Sequence, residues 1–517
     1  MTPPSPQSDN GAKKPHLVWL RTSSFRELFS IDIRALAVLR IAVGLLVLLD
    51  LYHRLELFDF FYGEFGFLDR GTSQTFAPLS AGYWSLYWIS DQPLFIGGLM
   101  VVSAVSAVGM IFGIRSREMT ALTLVLFWSL NVRNPLVTTA GHVLLRTFLF
   151  WMLFLPVGAT WSLDAWWKNR KGKGGEGAAQ TVFSVASAAL LIQFAAMYFF
   201  SGIAKWNEDW FRGEALQIAL QLDLYVKPLG YWLSQYPAIT TTATLLTFGF
   251  ELIGPLLLFM PFGNRLWRVL FLTAFCGMHI GIWMTMSIGI FSMVAIAGWC
   301  IFLPAEFWRG RPKPERENPN EKSEPSTATK PNWIVQAICS VFLIYILGLN
   351  AANVRPESSS RWFPPALRFV GNLTMVVQEF KMFSRPSHES FWIEIRRMKA
   401  DGKTHETVLV GSSYENGQNW NPPREDIYST AKSNQAKRLV HALATPRPET
   451  DSQKEMLKLI RERFARSWTE FMIHRNYDGT VPKPDSWYEV NCYRRPIDLD
   501  FETSAGRESW LKFQREK

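Results

Sequence analysis

The sequence predicts a mainly α-helical, polytopic membrane protein with about nine transmembrane helices and a C-terminal α+β extramembrane domain. Apolar runs of about 20 residues recur between residues 31 and 351, and each is long enough to cross roughly 30 Å of hydrocarbon. No such run occurs between residues 352 and 517. Lysine and arginine are concentrated in alternate connecting segments, as in proteins that cross a membrane repeatedly.

Residues 1–30 are polar, and we interpret them as a cytoplasmic N-terminal tail. The apolar region of a cleavable signal peptide comes earlier, so we expect the first span to be a retained anchor. The membrane domain, residues 31–351, contains the candidate spans. They cover approximately residues 34–52, 93–113, 118–133, 142–160, 182–204, 239–261, 265–282, 284–303 and 333–351.

The segment between the first two spans is dense in Tyr, Trp and Phe, as YHRLELFDFFYGEFGFLDR and GYWSLYWIS illustrate. Amphipathic rings are favoured at the headgroup level of a membrane. This composition predicts interfacial helices or a lid over a cavity.

The positions of the basic residues predict the orientation. Segments assigned to the cytoplasm carry 19 Lys and Arg, whereas the outside segments before the last span carry 6. With a cytoplasmic N-terminus, an odd number of spans places residues 352–517 outside the cytoplasm. We therefore expect a multi-pass protein of the plasma (inner) membrane with an extracytoplasmic C-terminal domain. The net charge of +10 partly reflects this distribution, and no nucleic-acid partner is expected.

The C-terminal domain, residues 352–517, combines strand and helix patterns. SFWIEIRRMKADGKTHETVLVG alternates around Asp401-Gly402 and predicts a hairpin, and SWYEVNCYRRP predicts a further strand. Residues 451–475 have helical spacing of apolar side chains. The apolar face of that helix is formed by Met456, Leu457, Ile460, Phe464 and Trp468. An α+β module is the expected result.

The cysteine pattern does not favour a metal site. Cys276, Cys300 and Cys339 lie in apolar runs, and Cys492 stands alone in the C-terminal region. No CxxC pair occurs, so we expect neither a bound metal nor a disulfide within that region.

Several ionisable residues lie at membrane depth, where charge is costly and usually faces a protein interior or a wet cavity. Arg40, Asp50, Arg146 and Glu251 are expected to form structural pairs, because buried charges are normally paired.

Three further titratable groups are predicted to share one depth at the outer boundary. His142 begins the fourth span, Lys205 ends the fifth and His279 lies near the end of the seventh. Taken singly, each has an ordinary explanation. The lysine could snorkel to the surface, His142 could cap a helix, and His279 could donate to a backbone carbonyl.

Taken together, these groups suggest a chemical site. A dehydrated amine favours the neutral form, and a neutral Lys205 could act as a general base. Glu208 and Asp209 oppose this unless they turn outward or are engaged elsewhere, with Arg212 as a candidate partner.

Four stretches resemble the vitamin K-dependent γ-carboxylase superfamily, especially its bacterial horizontally transferred transmembrane (HTTM) domain members. They are SIDIRALAVLRIAVGLLVLLDL, GHVLLR, YFFSGIAKWNEDWFRGEAL and HIGIWMTMSIGIFSM. The likeness covers roughly residues 25 to 310.

The resemblance implies that Lys205 deprotonates reduced vitamin K or another hydroquinone, with O2 and CO2 as co-substrates. His142 would orient or stabilise the oxyanion, and His279 would form a second polar wall. A substrate glutamate in a secreted peptide or protein would then be carboxylated, in carbon–carbon ligase or lyase chemistry. The quinol would enter sideways from the bilayer.

The resemblance also implies that Arg146, Trp206 and Ser287 contact the cofactor.

The sequence departs from the family pattern at two places. Gly141 stands where the carboxylase has an asparagine, and the C-terminal region is much shorter than in animal carboxylases. Quinol chemistry is therefore better supported than glutamate carboxylation.

Three functional hypotheses follow. The leading one is a membrane enzyme that uses a reduced quinone at an outward-facing site. The alternative is a non-catalytic protein of the same fold that binds a peptide or lipid in maturation or immunity. A transporter is disfavoured because the span number is odd and no inverted repeat is visible.

Overall fold

The computed structural model describes residues 21–55, 57–62, 66–171, 180–222, 225–308, 332–354, 363–378, 380, 383–398, 405–410, 458, 460–464, 467, 487–496 and 506–514. Several predictions fall outside these residues. They concern most of the N-terminal tail, the Asp401-Gly402 turn, and Met456, Leu457 and Trp468 of the predicted C-terminal helix.

The described part of the chain is mainly helical. Its helices are α1 (Phe25–Phe29), α2 (Ile33–Leu55), α3 (Phe58–Tyr62), α4 (Arg70–Phe76), α5 (Pro93–Phe112), α6 (Ser116–Arg133), α7 (Ala140–Met152), α8 (Leu163–Arg170), α9 (Val185–Ala204), α10 (Glu208–Phe211), α11 (Ala215–Ala219), α12 (Pro228–Ser234), α13 (Pro237–Leu257), α14 (Asn264–Thr285), α15 (Phe291–Trp299), α16 (Ala305–Trp308), α17 (Trp333–Val354) and α18 (Pro365–Leu373). Short 3-10 turns at Leu79–Ala81, Leu86–Trp88, Pro135–Val137 and Cys300–Phe302 connect some of them.

Among the described residues, six helices are long and apolar enough to cross a membrane: α2, α5, α9, α13, α14 and α17. Helices also occupy the other three predicted spans, but α6 carries three charged residues. Helix α7 has only 13 residues, and the apolar helix Phe291–Phe302 is likewise short. The membrane-spanning class is confirmed, whereas the count of nine spans stays a prediction.

Local sequence explains where the spans begin and end. Pro93 occupies the first turn of α5, where its missing N–H leaves no bond unmade. Gly113 ends α5 with φ of 67°, a conformation that favours glycine. Ser184 and Ser187 form a reciprocal cap at the start of α9.

Helices α2 and α9 lie at the centre of the bundle, with 61% of their most apolar windows buried. Helices α13, α14 and α17 lie at its edge, where the buried share falls to 28%, 22% and 22%. A short antiparallel pair of strands, β1 (Ser30–Asp32) and β2 (Thr181–Phe183), joins the chain just before α2 to the chain just before α9. The core is therefore built around these two helices.

The C-terminal region contains an antiparallel four-stranded sheet. Its strands are β3 (Glu389–Met398), β4 (His405–Val410), β5 (Trp487–Pro496) and β6 (Gly506–Gln514), in the order β4-β3-β5-β6. The strands predicted around the hairpin and at residues 486–496 are confirmed as β3, β4 and β5. The α+β domain as a whole stays a prediction, because its helix is described only in part.

The aromatic segment after the first span forms two short helices, α3 and α4. A described piece of the C-terminal region covers them: the ring of Phe464 lies 6.0 Å from that of Phe60 and 5.9 Å from that of Phe67. Arg463 also pairs with Asp69 at 3.2 Å. The C-terminal region is thus anchored on the aromatic segment.

Candidate functional site

Lys205 follows the last residue of α9 and is buried, with 3% of its surface exposed. Its Nζ lies 2.6 Å from Glu251 Oε2 and donates a hydrogen bond of 2.6 Å to Ser201 Oγ. It also lies 5.1 Å from the centre of the Trp210 ring. Lys205 therefore does not snorkel to the surface, and the amine is held inside the protein.

Glu251 comes from α13, which packs closely against α9. A β-carbon placed on Gly202 would lie 3.1 Å from the backbone carbonyl carbon of Glu251, so a small residue permits this approach. The expectation that Glu251 forms a charge pair is confirmed, with Lys205 as its partner. Sequence reasoning missed this partner, because the two residues lie on different helices.

The carboxylates next to Lys205 in sequence face other side chains. Glu208 pairs on the surface at 3.3 Å with Arg212, the candidate partner. Asp209 lies 3.2 Å from His388 Nε2, a partner that the sequence did not indicate. Neither carboxylate is paired with the Lys205 amine, and Glu251 takes that place.

A cavity of about 380 Å³ adjoins the Lys205–Glu251 pair. Its lining is predominantly apolar and comes mainly from α9, α11, α13 and α14, with Phe380 and Phe383 from the C-terminal region. The polar groups in the lining are Tyr198, Ser201, Lys205, Thr244, Thr247, Glu251, His279 and Thr285.

His279 lines the same cavity from α14 and is 1% exposed. Its Nε2 lies 2.8 Å from the hydroxyl of Tyr198, which accepts a hydrogen bond of 3.0 Å from Trp299 Nε1. Its Nδ1 makes no hydrogen bond with the described residues. The structure thus brings Lys205 and His279 to one cavity.

His142 belongs to a neighbouring buried cluster and is not part of the cavity lining. The Thr139 N–H donates to its Nδ1 at 2.9 Å, so the ring proton is on Nε2, which donates to Asp50 Oδ1 at 2.8 Å. The expected capping role of His142 is confirmed. The other oxygen of Asp50 accepts from Arg54 Nε at 2.7 Å.

The two arginines that were expected to pair at membrane depth, Arg40 and Arg146, form no ion pair with a carboxylate among the described residues. Arg40 donates to the carbonyls of Met110 and Trp161, and Arg146 donates to the carbonyl of Val377. The expectation of charge pairs is wrong for these two, because main-chain carbonyls accept hydrogen bonds from their guanidinium groups instead.

The residues expected to contact a cofactor lie outside the cavity lining. The Arg146 guanidinium covers the ring of Trp128 at 4.7 Å, and Trp206 is 67% exposed. The Ser287 N–H donates to the carbonyl of Tyr225 at 2.7 Å. Their cofactor role stays a prediction.

The segment that leads into the C-terminal sheet closes one side of the cavity. Phe380 and Phe383 line it, and the Phe383 carbonyl accepts from Trp210 Nε1 at 3.0 Å. Asn207 Nδ2 donates to the carbonyl of Ser384 at 2.7 Å. The turn that carries Lys205 is therefore fastened to this segment, a contact that no sequence signal indicated.

These features define an integral membrane protein whose helical bundle holds a buried amine–carboxylate pair beside an apolar cavity. The sequence model of the HTTM domain matches residues 29–308, more than half of the chain, and the protein belongs to this family. The resemblance seen in the sequence is confirmed, and the protein is related to the carboxylase family. No curated protein and no solved structure matches the chain.

Proposed function

We propose that this protein binds a reduced, lipid-soluble quinone in the cavity and that the Lys205–Glu251 pair removes a proton from the bound ring. The observation that carries the proposal is this buried pair, joined at 2.6 Å, on the wall of an apolar cavity. A charge pair that served packing alone would not need to face a cavity.

The residues present fit such a ligand. Ligand cavities commonly measure about 300–1,000 Å³ and combine apolar walls with a few convergent polar groups. Apolar side chains would cover the ring, while Lys205, Ser201 and His279 would meet its hydroxyl groups. When bound, a reduced quinone supplies the electrons for reaction with oxygen, as the family resemblance implies.

The pair can take up one proton from the bound ring. The positive charge that the pair gains is then balanced by the negative charge left on the ring. It holds either an ammonium and a carboxylate or an amine and a carboxylic acid. Uptake of one proton from either form gives the same product, an ammonium at Lys205 and a carboxylic acid at Glu251. The positive charge then stands beside the anion that the proton left, and favours it.

The remaining roles are proposals of the same kind. In this proposal the end of α9, and with it the cavity, lies at the outer face of the plasma membrane, which the distribution of basic residues supports. O2 and CO2 are the co-substrates, and a secreted peptide would approach from the side of the C-terminal domain. Trp210 and Ser201 hold the amine in place.

The test is epoxide formation from vitamin K hydroquinone and oxygen by the purified protein in lipid nanodiscs. We expect epoxide from the wild type and a loss of at least about a hundredfold in Lys205→Ala and Glu251→Gln, the scale of a general base. Lys168→Ala, which removes an exposed lysine of α8, should keep wild-type activity. Binding without epoxide formation in the wild type would favour the non-catalytic alternative.

A further inference from the structure

Three buried aromatic side chains from three helices form a hydrogen-bonded chain that ends at the cavity. Trp299 of α15, Tyr198 of α9 and His279 of α14 are each no more than 2% exposed. Trp299 Nε1 lies 3.0 Å from the Tyr198 hydroxyl oxygen, and this oxygen lies 2.8 Å from His279 Nε2. Tyr198 and His279 line the cavity, whereas Trp299 does not.

The direction of each hydrogen bond follows from the chemistry of the three groups. An indole nitrogen can only donate, so the Tyr198 oxygen accepts from Trp299. The hydroxyl proton of Tyr198 then has one acceptor among the described residues, which is His279 Nε2. A proton on Nε2 would leave that buried hydroxyl proton without an acceptor, which is unfavourable. The His279 ring is therefore neutral and carries its proton on Nδ1.

Aromatic packing holds this chain in place. The ring of Phe275 stacks on that of Trp299 with centres 4.8 Å apart, and it lies 4.3 Å from that of Tyr198. Phe291 meets His279 edge to face at 5.4 Å. Because protein interiors are close-packed, the imidazole cannot turn unless these neighbouring rings also move. The position of the His279 proton is thus set by the packing of the helices.

We propose that Trp299 and Tyr198 are positioning residues that fix His279 as a donor, and that its Nδ1–H donates to an oxygen of the ring bound in the cavity. The part that concerns the ligand rests on the proposed function. Nδ1 is buried and makes no hydrogen bond with the described residues, so a ligand oxygen would satisfy it. The cavity would thereby select a ring that carries an oxygen acceptor, such as a quinone carbonyl or a quinol oxygen.

The position of the proton is measured without any ligand. The experiment is ¹⁵N solid-state NMR of the full-length protein in lipid nanodiscs, with the His279 signals identified by their loss in His279→Gln. We expect the proton on Nδ1 in the wild type and a mixture of both tautomers in Tyr198→Phe, which lacks the hydroxyl. Tyr236→Phe is the control, because Tyr236 is 43% exposed and does not line the cavity. Its spectrum should match that of the wild type.

The hydrogen bond to the ligand is tested with two probes of the same ring system. Menadione carries two carbonyl oxygens, which accept but cannot donate, and 2-methylnaphthalene carries neither oxygen. Menadione should shift the Nδ1 signal of the wild type, and 2-methylnaphthalene should leave it in place. Tyr198→Phe should weaken equilibrium binding of menadione about threefold to fivefold, because the donor tautomer falls to about a third to a fifth of the population.

A wild-type proton on Nε2, or an unchanged His279 spectrum in Tyr198→Phe, would overturn the assignment of the positioning residues. Menadione that binds without moving the Nδ1 signal would refute the hydrogen bond to the ligand and leave ring binding intact. If the wild type binds neither probe, the proposed function fails, and the tautomer is decided by the ligand-free spectrum alone. Circular dichroism and gel filtration confirm that each variant is folded.

Discussion

Loss of the Glu251 carboxylate should destabilise the protein, because the buried Lys205 ammonium is then left without a counter-charge. In Glu251→Leu the ammonium keeps Ser201 Oγ at 2.6 Å and the Trp210 ring at 5.1 Å, but loses its counter-charge. Breaking a buried ion pair on one side costs about 3–5 kcal/mol. Because two contacts of the ammonium remain, we expect the loss of stability to lie at the lower end of this range, about 3 kcal/mol.

A double-mutant cycle isolates the pair. Lys205→Met removes the amine, and the double variant Lys205→Met/Glu251→Leu replaces both charges by apolar side chains. Replacing both partners of a buried pair is often nearly neutral, so the double variant should be more stable than either single variant. The coupling energy should be about 2–3 kcal/mol. Unfolding is followed by titration with a denaturing detergent in mixed micelles.

Glu208→Leu is the matched control, because Glu208 pairs with Arg212 at 3.3 Å on the surface. Exposed pairs are worth about 0–1 kcal/mol, so this variant should change stability by no more than that. A coupling energy below about 0.5 kcal/mol, or equal losses in Glu208→Leu and Glu251→Leu, would refute the assignment of a buried ion pair.

Three further predictions concern other parts of the chain. Gly141→Asn, which restores the residue of the carboxylase family, should lower stability by about 1–3 kcal/mol, because a β-carbon there would lie 2.8 Å from the backbone nitrogen of Phe291. Unchanged thermal unfolding of this variant would contradict the close approach of α7 and α15. Burial raises the pKa of Asp164, but hydrogen bonds from the backbone and hydroxyl of Ser116 outweigh it and hold the pKa below 3.8. The Asp164 carboxylate therefore stabilises the fold above pH 3.8, and this stabilisation is lost as the pH falls through its folded-state pKa. In Asp164→Asn, the free energy of unfolding below pH 3.8 should depend less on pH than in the wild type. Cys492 should react with a membrane-impermeant maleimide from the extracytoplasmic side, and labelling from the cytoplasm would invert the proposed topology.

The spans could be predicted because their causes are local. Hydrocarbon thickness sets the length of an apolar run, and glycine or serine at its ends marks a cap, as at Gly113 and Ser184. The burial of α6 and α7 is less evident from sequence. Arg133 of α6 is fully enclosed and pairs with Asp91 at 2.8 Å, a contact between distant parts of the chain.

The candidate site was only partly predictable. The position of Lys205 at the end of an apolar run could be predicted, whereas Arg212 was only a candidate partner for Glu208 until the structure showed the pair. The expectation that His142 shares a pocket with Lys205 rested on equal depth in the membrane. Depth does not fix the direction in which a helix face points, and His142 turns toward Asp50 instead.

The sequence by itself determined that this chain crosses a membrane, where its long apolar helices lie, and which family it belongs to. Tertiary structure alone decided that Glu251 meets Lys205, that His279 shares their cavity, and that the C-terminal segment closes it. The physical reason is that apolar length and end caps are local properties of the chain. The partner of a buried charge depends on how separate helices rotate and pack against one another.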